Sequence, residues 1–274
     1  MPEGPEIRRA ADEIEAALKN QCIEDIAFGL PKLKRFASKL RGHRVSHIET
    51  RGKALLTHFD NGLTIYSHNQ LYGVWRLCKR GVLPKTKRQL RLALHTATHS
   101  ALLYSASDIS VWQREALGQH PFLARIGPDI LSPELTWQTL AKRLQSNAFS
   151  GRSLAALYLD QHFLAGIGNY LRSEILFAAG VDPAAKPKEL SHTQINKLAR
   201  QTLSLSRRSY RSGGVTLSDK QYRWLRDQGL SYGQARFMVF GRSNLPCHVC
   251  DKKIKRTQAG ARRIYTCANC QTIQ

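Results

Sequence analysis

Acidic residues are scarce in this chain. Asp and Glu number 20 among 274 residues against 42 Lys and Arg, giving a formal net charge of +22. That deficit argues against a cationic partner and points to a polyanion, with nucleic acid ahead of an anionic membrane surface. No apolar run is long enough to span a bilayer, so no membrane partner is expected. No signal-peptide pattern follows Met1, which makes a cytoplasmic, nucleoid-associated protein the expectation. Internal repeats and low-complexity tracts are missing too, which excludes solenoid architectures and polar linker proteins.

What remains is an ordinary soluble composition, 42% hydrophobic and 23% charged, with length for about two domains. The basic residues are spread over the whole chain rather than massed in one tail. Whole domains, not an appended arm, should therefore face the phosphates.

Of six cysteines, Cys22 and Cys78 stand alone and read as core or incidental thiols. The other four form Cys247-x2-Cys250, sixteen intervening residues, then Cys267-x2-Cys270. Without an export signal, disulfides are the less favoured use for them. Two such knuckles place four thiolates tetrahedrally around one structural zinc ion, which holds a short fold and does no catalysis. No organic cofactor is expected. Lys252, Lys253, Lys255, Arg256, Arg262 and Arg263 lie between the knuckles and suit contact with nucleic acid.

Residues 3–19 read as an amphipathic helix, with Ile7, Ala10, Ala11, Ile14, Ala17 and Leu18 on one face. From about 22 to 115 the period changes to two, as in Leu90, Leu92 and Leu94, and Asp60-Asn61-Gly62 marks a hairpin. Short strands fit 44–50, 73–78 and 101–106, and Lys79 to Arg91 reads as a basic loop. An antiparallel sandwich or barrel of about eight strands carrying the first helix is the economical reading. Helices are expected at 136–146, 153–162, 169–179 and about 189–205, with 206–235 a basic mobile segment. The α+β fold class follows. Its domains are a sandwich over 1–120, a linker over 121–133, a helical domain over 134–235 and a zinc finger over 236–274.

The first residues carry two readings. Pro2 and Pro5 suit a helix start whose first turn holds acidic groups for the macrodipole. If Met1 is removed, however, Pro2 becomes a secondary amine with Glu3 beside it. An α-amino group titrates near about pH 7.7–8.0, so a useful fraction is neutral and can attack carbon. The iminium formed by a proline amine cannot lose its charge by simple deprotonation and is an electron sink. Further along, Gly166-Ile167-Gly168-Asn169 precedes a helical pattern. Its glycines suit either a phosphate brought close to backbone amides or a plain helix–turn–helix corner.

Taken in order, Pro2-Glu3-Gly4-Pro5-Glu6-Ile7, Arg51-Gly52-Lys53, Tyr66-Ser67-His68-Asn69-Gln70-Leu71-Tyr72-Gly73, the Gly166–Asn169 turn and the four-cysteine finger resemble the formamidopyrimidine-DNA glycosylase superfamily of base-excision repair. Gly4 and the run from Ser67 to Gly73 are similar to its endonuclease VIII branch. The resemblance runs over the full chain and implies an N-terminal β-sandwich, then a helix-two-turn-helix domain with a C-terminal zinc finger. It implies a monomeric bifunctional DNA glycosylase and abasic-site lyase acting on damaged double-stranded DNA, with oxidised pyrimidines as substrates and β,δ-elimination as the outcome.

By the same resemblance Pro2 is the nucleophile that forms a Schiff base, and Glu3 moves protons at the sugar. Lys53 contacts the phosphate by the lesion, while Arg262 grips phosphate and assists elimination, with Arg263 beside it as the competing assignment. Gln70, Leu71 and Tyr72 fill the space left by the extruded base, and Arg125 and Asn169 grip the backbone. Read without the family, Leu71 and Tyr72 are sheet-core residues and Lys53 is one more surface lysine. Residues 206–236 and the finger's interior carry no residue-level match. Two alternatives stay open: the same chemistry on oxidised purines, and a non-catalytic zinc-ribbon DNA-binding protein.

Overall fold

The computed structural model describes residues 2–271. The chain divides into two units, one of Met1–Pro2 and Glu6–Arg125, the other of Glu3–Pro5 and Ile126–Gln274.

The first unit holds most of α1 (Gly4–Leu18), then β1 (Asp25–Phe28), the single-turn α2 (Ala37–Leu40), β2 (Val45–Arg51), β3 (Ala54–Phe59), β4 (Leu63–His68), β5 (Val74–Lys79), β6 (Leu90–His95), β7 (His99–Tyr104) and β8 (Asp108–Gln113). The strands form two four-stranded sheets, in the orders β2-β3-β4-β8 and β1-β6-β7-β5. All pairings within them are antiparallel. Period-two alternation sends Leu55, Phe59 and Ile65 from one sheet and Ile26, Leu92 and Leu103 from the other into a single core. Ile7, Ala11, Ile14 and Leu18 of α1 join it, each at most 2% exposed. Burying an Ile or Leu of this kind contributes about 1.5–3 kcal/mol. The β3–β4 hairpin turns at Gly62, φ +81°, where Asn61 Oδ1 accepts from the Leu63 amide at 3.1 Å.

The second face of β2-β3-β4-β8 is covered as well. Ala54, Leu56 and Tyr66 are buried there beneath Trp112, Phe122 and Leu123. Tyr66 lies against the His120 ring with centroids 4.0 Å apart. Its hydroxyl donates toward Asp108 at 3.4 Å.

The second unit contains α3 (Trp137–Gln145), α4 (Leu154–Leu157), α5 (Asn169–Ala179), α6 (His192–Arg211), α7 (Asp219–Asp227), α8 (Tyr232–Ala235) and the antiparallel hairpin β9 (Lys255–Ala259) and β10 (Arg262–Thr266). Helix α5 is buried from Tyr170 to Phe177 and ends at Gly180, φ +73°. A helix wrapped on all sides is the central rod of its domain. Leu140, Leu157, Leu176 and Leu198 from four helices pack in the core that it runs through.

Three expected elements differ. The helix expected over 153–162 is one turn, because the bonds from the Leu159 and Asp160 amides are of the tight i→i−3 kind and Asp160 Oδ1 then accepts from the His162 amide at 2.9 Å. Helix α6 runs on to Arg211 because its polar positions satisfy themselves: Thr202 and Ser206 donate to the carbonyls four residues back, at 2.8 and 2.7 Å. The segment 206–235, expected as basic and mobile, holds the end of α6 with α7 and α8, closed by the small core of Val215, Leu217, Leu225 and Ala235.

Candidate active site

Glu3 is 2% exposed, and its carboxylate caps a helix whose N-cap residue lies 165 residues later. Oε2 accepts from the Gly168 amide at 2.7 Å and from the Leu171 amide at 3.3 Å, and Oε1 accepts from the Tyr170 amide at 2.8 Å. These are groups that the first turn of α5 cannot satisfy internally, at the positive end of its macrodipole. The cap comes from Glu3 because Gly168, the N-cap position, has no side chain. A Cβ on Gly168 would sit 2.4 Å from the Glu3 carboxyl carbon. The Gly4 amide donates to the Gly166 carbonyl at 2.8 Å, and Gly166 holds φ +104°. The glycine turn is therefore a cradle for Glu3 and Gly4. This corrects the reading of those glycines as an approach for phosphate, because the protein's own carboxylate takes the amides.

Arg172, one turn further on, is fully buried. It donates to the Ala155 carbonyl at 2.8 Å, to Asn169 Oδ1 at 2.7 Å and to the Arg263 carbonyl at 3.0 Å. Burial pushes its pKa down to about 10, the Glu3 carboxylate opposes that shift, and the Arg262 guanidinium adds to it. One buried cation thus links the Glu3 cap, Asn169 and the β9–β10 hairpin. Along β10 the alternation puts Arg262 on the face of Ile264, which packs in the helical core, and Arg263 on the other.

The four paired cysteines bring their sulfurs within 4.8 Å of one another, and no other such cluster occurs among the described residues. Sγ–Sγ distances are 3.4 Å for Cys250–Cys267, 3.5 Å for Cys250–Cys270 and 3.9 Å for Cys247–Cys270. A tetrahedral zinc with Zn–S near 2.3 Å holds its sulfurs roughly 3.8 Å apart, so the donor set fits that ion. All four are free thiols. Gln271 fastens the second knuckle, accepting from the Cys267 amide at 2.9 Å and donating to the Val181 carbonyl at 3.0 Å.

In the first unit, Arg51 pairs with Ala54 across a two-residue turn in which Gly52 takes φ +63°. Lys53, the other turn residue, is only 8% exposed, so it is not an ordinary surface lysine. Burial depresses the pKa of nearby His68; Asp108 opposes this and the Lys53 ammonium reinforces it. The neutral His68 ring then accepts from the Gln70 amide through Nδ1 at 3.0 Å. Gln70 holds φ +51°, and its side-chain oxygen accepts from Ser107 Oγ at 2.8 Å. The Gly73 amide closes the turn on the Asn69 carbonyl at 2.7 Å, and Arg88 donates to the Tyr72 carbonyl at 2.6 Å. Leu71 and Tyr72 are lifted out of the sheet, 50% and 71% exposed, which overturns their reading as core residues. Arg125 is exposed at the end of this unit, its Nε donating to the Pro121 carbonyl at 3.0 Å. Pro2 is half-buried.

Residues 1–107 match the formamidopyrimidine-DNA glycosylase N-terminal domain, and residues 126–221 match the H2TH domain of the same glycosylases. The chain belongs to the formamidopyrimidine-DNA glycosylase family. Endonuclease 8 of Escherichia coli strain UMN026 is 50% identical over 271 residues, covering 99% of this chain and all of that one. Endonuclease 8 of Shigella sonnei is 49% identical over the same lengths. Among solved structures, the Thermus thermophilus MutM (Fpg) protein matches with TM-score 0.80 and 26% identity, covering 98% of each chain. Lactococcus lactis Fpg in complex with DNA containing an N7-benzyl-Fapy-dG has the same fold, with TM-score 0.81, 19% identity and coverage of 98% of this chain and 99% of that one.

Within this glycosylase fold Arg172 bonds Asn169 and the β9–β10 hairpin next to the turn that holds Glu3, and the first unit separately sets Lys53 near His68 at the base of the Gln70–Tyr72 turn. Arg172 and Glu174 were missed from sequence. Glu174 is fully buried, accepting from Thr216 Oγ1 at 2.5 Å and from the amides of Met238, Val239 and Phe240 at 2.8, 2.9 and 2.8 Å. Burial raises its pKa, and these hydrogen bonds oppose the rise. It pins the bend at 238–240 that leads into the finger. The available signal was a charged pair, Arg172 and Glu174, inside a helix apolar on every side, since such charges survive burial only when fully bonded.

Proposed function

We propose that Pro2, freed of Met1, is the nucleophile of this bifunctional DNA glycosylase and abasic-site lyase of base-excision repair. The observation that carries the proposal is the Glu3 clamp: three amides hold the carboxylate next in sequence to Pro2, which makes it a fixed group rather than a solvated side chain. Membership of the family sets aside the alternative of a non-catalytic zinc-ribbon binder.

In this reading the damaged nucleotide leaves the duplex stack, at a cost of a few kcal/mol. The Pro2 nitrogen bonds to the anomeric carbon and the glycosidic bond breaks, expelling the base. Glu3 delivers a proton to the ring oxygen as the sugar opens to an iminium. Loss of a sugar proton then drives out one phosphate and a second elimination the other, and hydrolysis returns the free amine. Lys53 and Arg262 hold the phosphates beside the reacting sugar, Asn169 and Arg125 grip the backbone, and Gln70, Leu71 and Tyr72 occupy the vacated stack. The four cysteines hold structural zinc, and the enzyme acts as a monomer on nucleoid DNA. Its substrates are oxidised pyrimidines.

Borohydride reduction with an abasic-site oligonucleotide tests the nucleophile. A covalent complex at Pro2 is expected, with an intact mass lacking Met1; absence of the complex overturns the assignment. Faster excision of thymine glycol than of 8-oxoguanine, each opposite its usual partner, is expected for the pyrimidine reading. The reverse order would transfer the enzyme to purine lesions.

A further inference from the structure

Three of the four tryptophans have partners in the fold. Trp75 is 8% exposed, Trp112 donates to Ser110 Oγ at 2.8 Å, and Trp137 lies under the Arg200 guanidinium at 3.6 Å. Trp224, on α7, is 60% exposed. Helical spacing explains why. Tyr222 and Leu225 turn inward onto Val215, Leu217 and Ala235, which leaves Lys220, Arg223, Trp224 and Asp227 on the outer face. Lys220 lies one turn before Trp224 and Arg223 beside it, and neither makes an ion pair among the described residues. Asp219 and Asp227 sit at the two ends of the helix. A second exposed aromatic, Tyr232 at 39%, is tied by its hydroxyl to the Gly213 carbonyl at 2.6 Å, within the same segment.

A flat π surface flanked by free cations matches a nucleobase that lies outside the helical stack, with its phosphates on the cations. A base inside an intact duplex offers no face to an indole. We propose that the outer face of α7 binds single-stranded DNA, with Trp224 stacked on an unpaired base and Lys220 and Arg223 on its phosphates. The site rests on the reading of this chain as a DNA-binding repair enzyme. It lies in residues 219–227, uses none of the residues of the Glu3 clamp or the Asn69–Gly73 turn, and gives the enzyme a hold on unpaired strand.

The test is a fluorescence titration of the full chain with a lesion-free single-stranded oligonucleotide. Emission should be quenched, and Trp224→Phe should remove most of the quenching while leaving the signal of the other three tryptophans. Trp224→Ala should weaken single-strand affinity about 5- to 100-fold. Lys220→Gln with Arg223→Gln should lower the slope of log affinity against log salt by about 1–2. Equal quenching in Trp224→Phe, or stronger quenching by undamaged duplex than by single strand, would overturn the proposal. Borohydride trapping on the same preparations reads Pro2 independently, so failure of one assignment leaves the other standing. Because Trp224 is exposed, thermal midpoints of the variants should match the parent, and circular dichroism checks this.

Discussion

The first turn of α5 and the turn at Asn69–Gly73 use one device for opposite ends. In each, a glycine supplies room that a methyl group would fill. A Cβ at Gly168 would lie 2.4 Å from the Glu3 carboxyl carbon, and one at Gly73 would lie 2.5 Å from the Asn69 carbonyl oxygen. At Gly168 the room lets a charge from the far end of the chain be buried and bonded. At Gly73 it lets a five-residue turn close on itself and push Leu71 and Tyr72 into solvent. One site fixes a buried carboxylate and the other presents a surface, and the backbone requirement is the same.

The largest effect that would separate the two comes from the metal. Replacing Cys267 with Ser, or chelating the ion, should unfold the finger, since binding to such sites supplies on the order of 10 kcal/mol of folding free energy. The Arg172 bond to the Arg263 carbonyl would go with it. Amide exchange should then rise over 168–172 and stay unchanged over 69–73. Unchanged metal content in the Ser variant would count against the ligand set.

Next comes Glu3→Gln. The amide keeps the shape but turns a donor toward backbone N–H groups, which costs about 1–3 kcal/mol of stability. Loss of the proton-transfer group should lower single-turnover base excision by about 10²–10⁴-fold while DNA binding persists. Excision at the parental rate would sink the role given to Glu3.

The two glycines sharpen the comparison directly. Gly168→Ala and Gly73→Ala should each cost about 1–3 kcal/mol by overpacking. They should differ in what fails. Gly168→Ala should slow borohydride trapping even on a preformed abasic site, because the carboxylate is displaced. Gly73→Ala should slow excision of a base from duplex while trapping on single-stranded abasic DNA is spared. Identical profiles for the pair would remove the distinction.

The smallest effect is a pH dependence confined to the turn. His68 must be neutral at Nδ1 to accept from Gln70, and burial lowers its pKa below the ordinary value near 6.5. With the folded pKa lower, the unfolded chain binds the proton first. The contribution is therefore intact above about pH 6.5 and lost as pH falls toward the folded value. An NMR titration should show the Gln70 amide shifting with His68, and no such coupling at Tyr170.

What could be read beforehand divides along the same line. The Cys pairs, the hairpin at Gly62 and the helix behind Pro2 depend on spacings of a few residues, and the sequence displays those directly. Alternation also placed Leu92 and Leu94 in the core of the sandwich, while Leu90, before an irregularity in the strand, packs elsewhere. The α5 clamp joins residues 165 apart, and no local pattern announces that Gly166 and Gly168 make room for Glu3. Arg172 and Glu174 were missed because most of their partners are backbone groups, which every residue has. The tail of α6 reads as a basic mobile segment because its buried positions are Ser rather than Leu. Leu71 and Tyr72 looked like core because alternation carries no record of a turn closed by a single glycine.

The Glu3 clamp also sets a schedule for synthesis. Glu3 is translated 165 residues ahead of Gly168, the first of its amide partners at 168–171. At about 5–20 residues per second, that is a delay of roughly 8–33 seconds. Through that interval Glu3 exists without the helix end that bonds it. A chain cut short before α5 therefore carries an unclamped Glu3, and under the role proposed for it the power to open an abasic site arrives only once the helical unit has been translated.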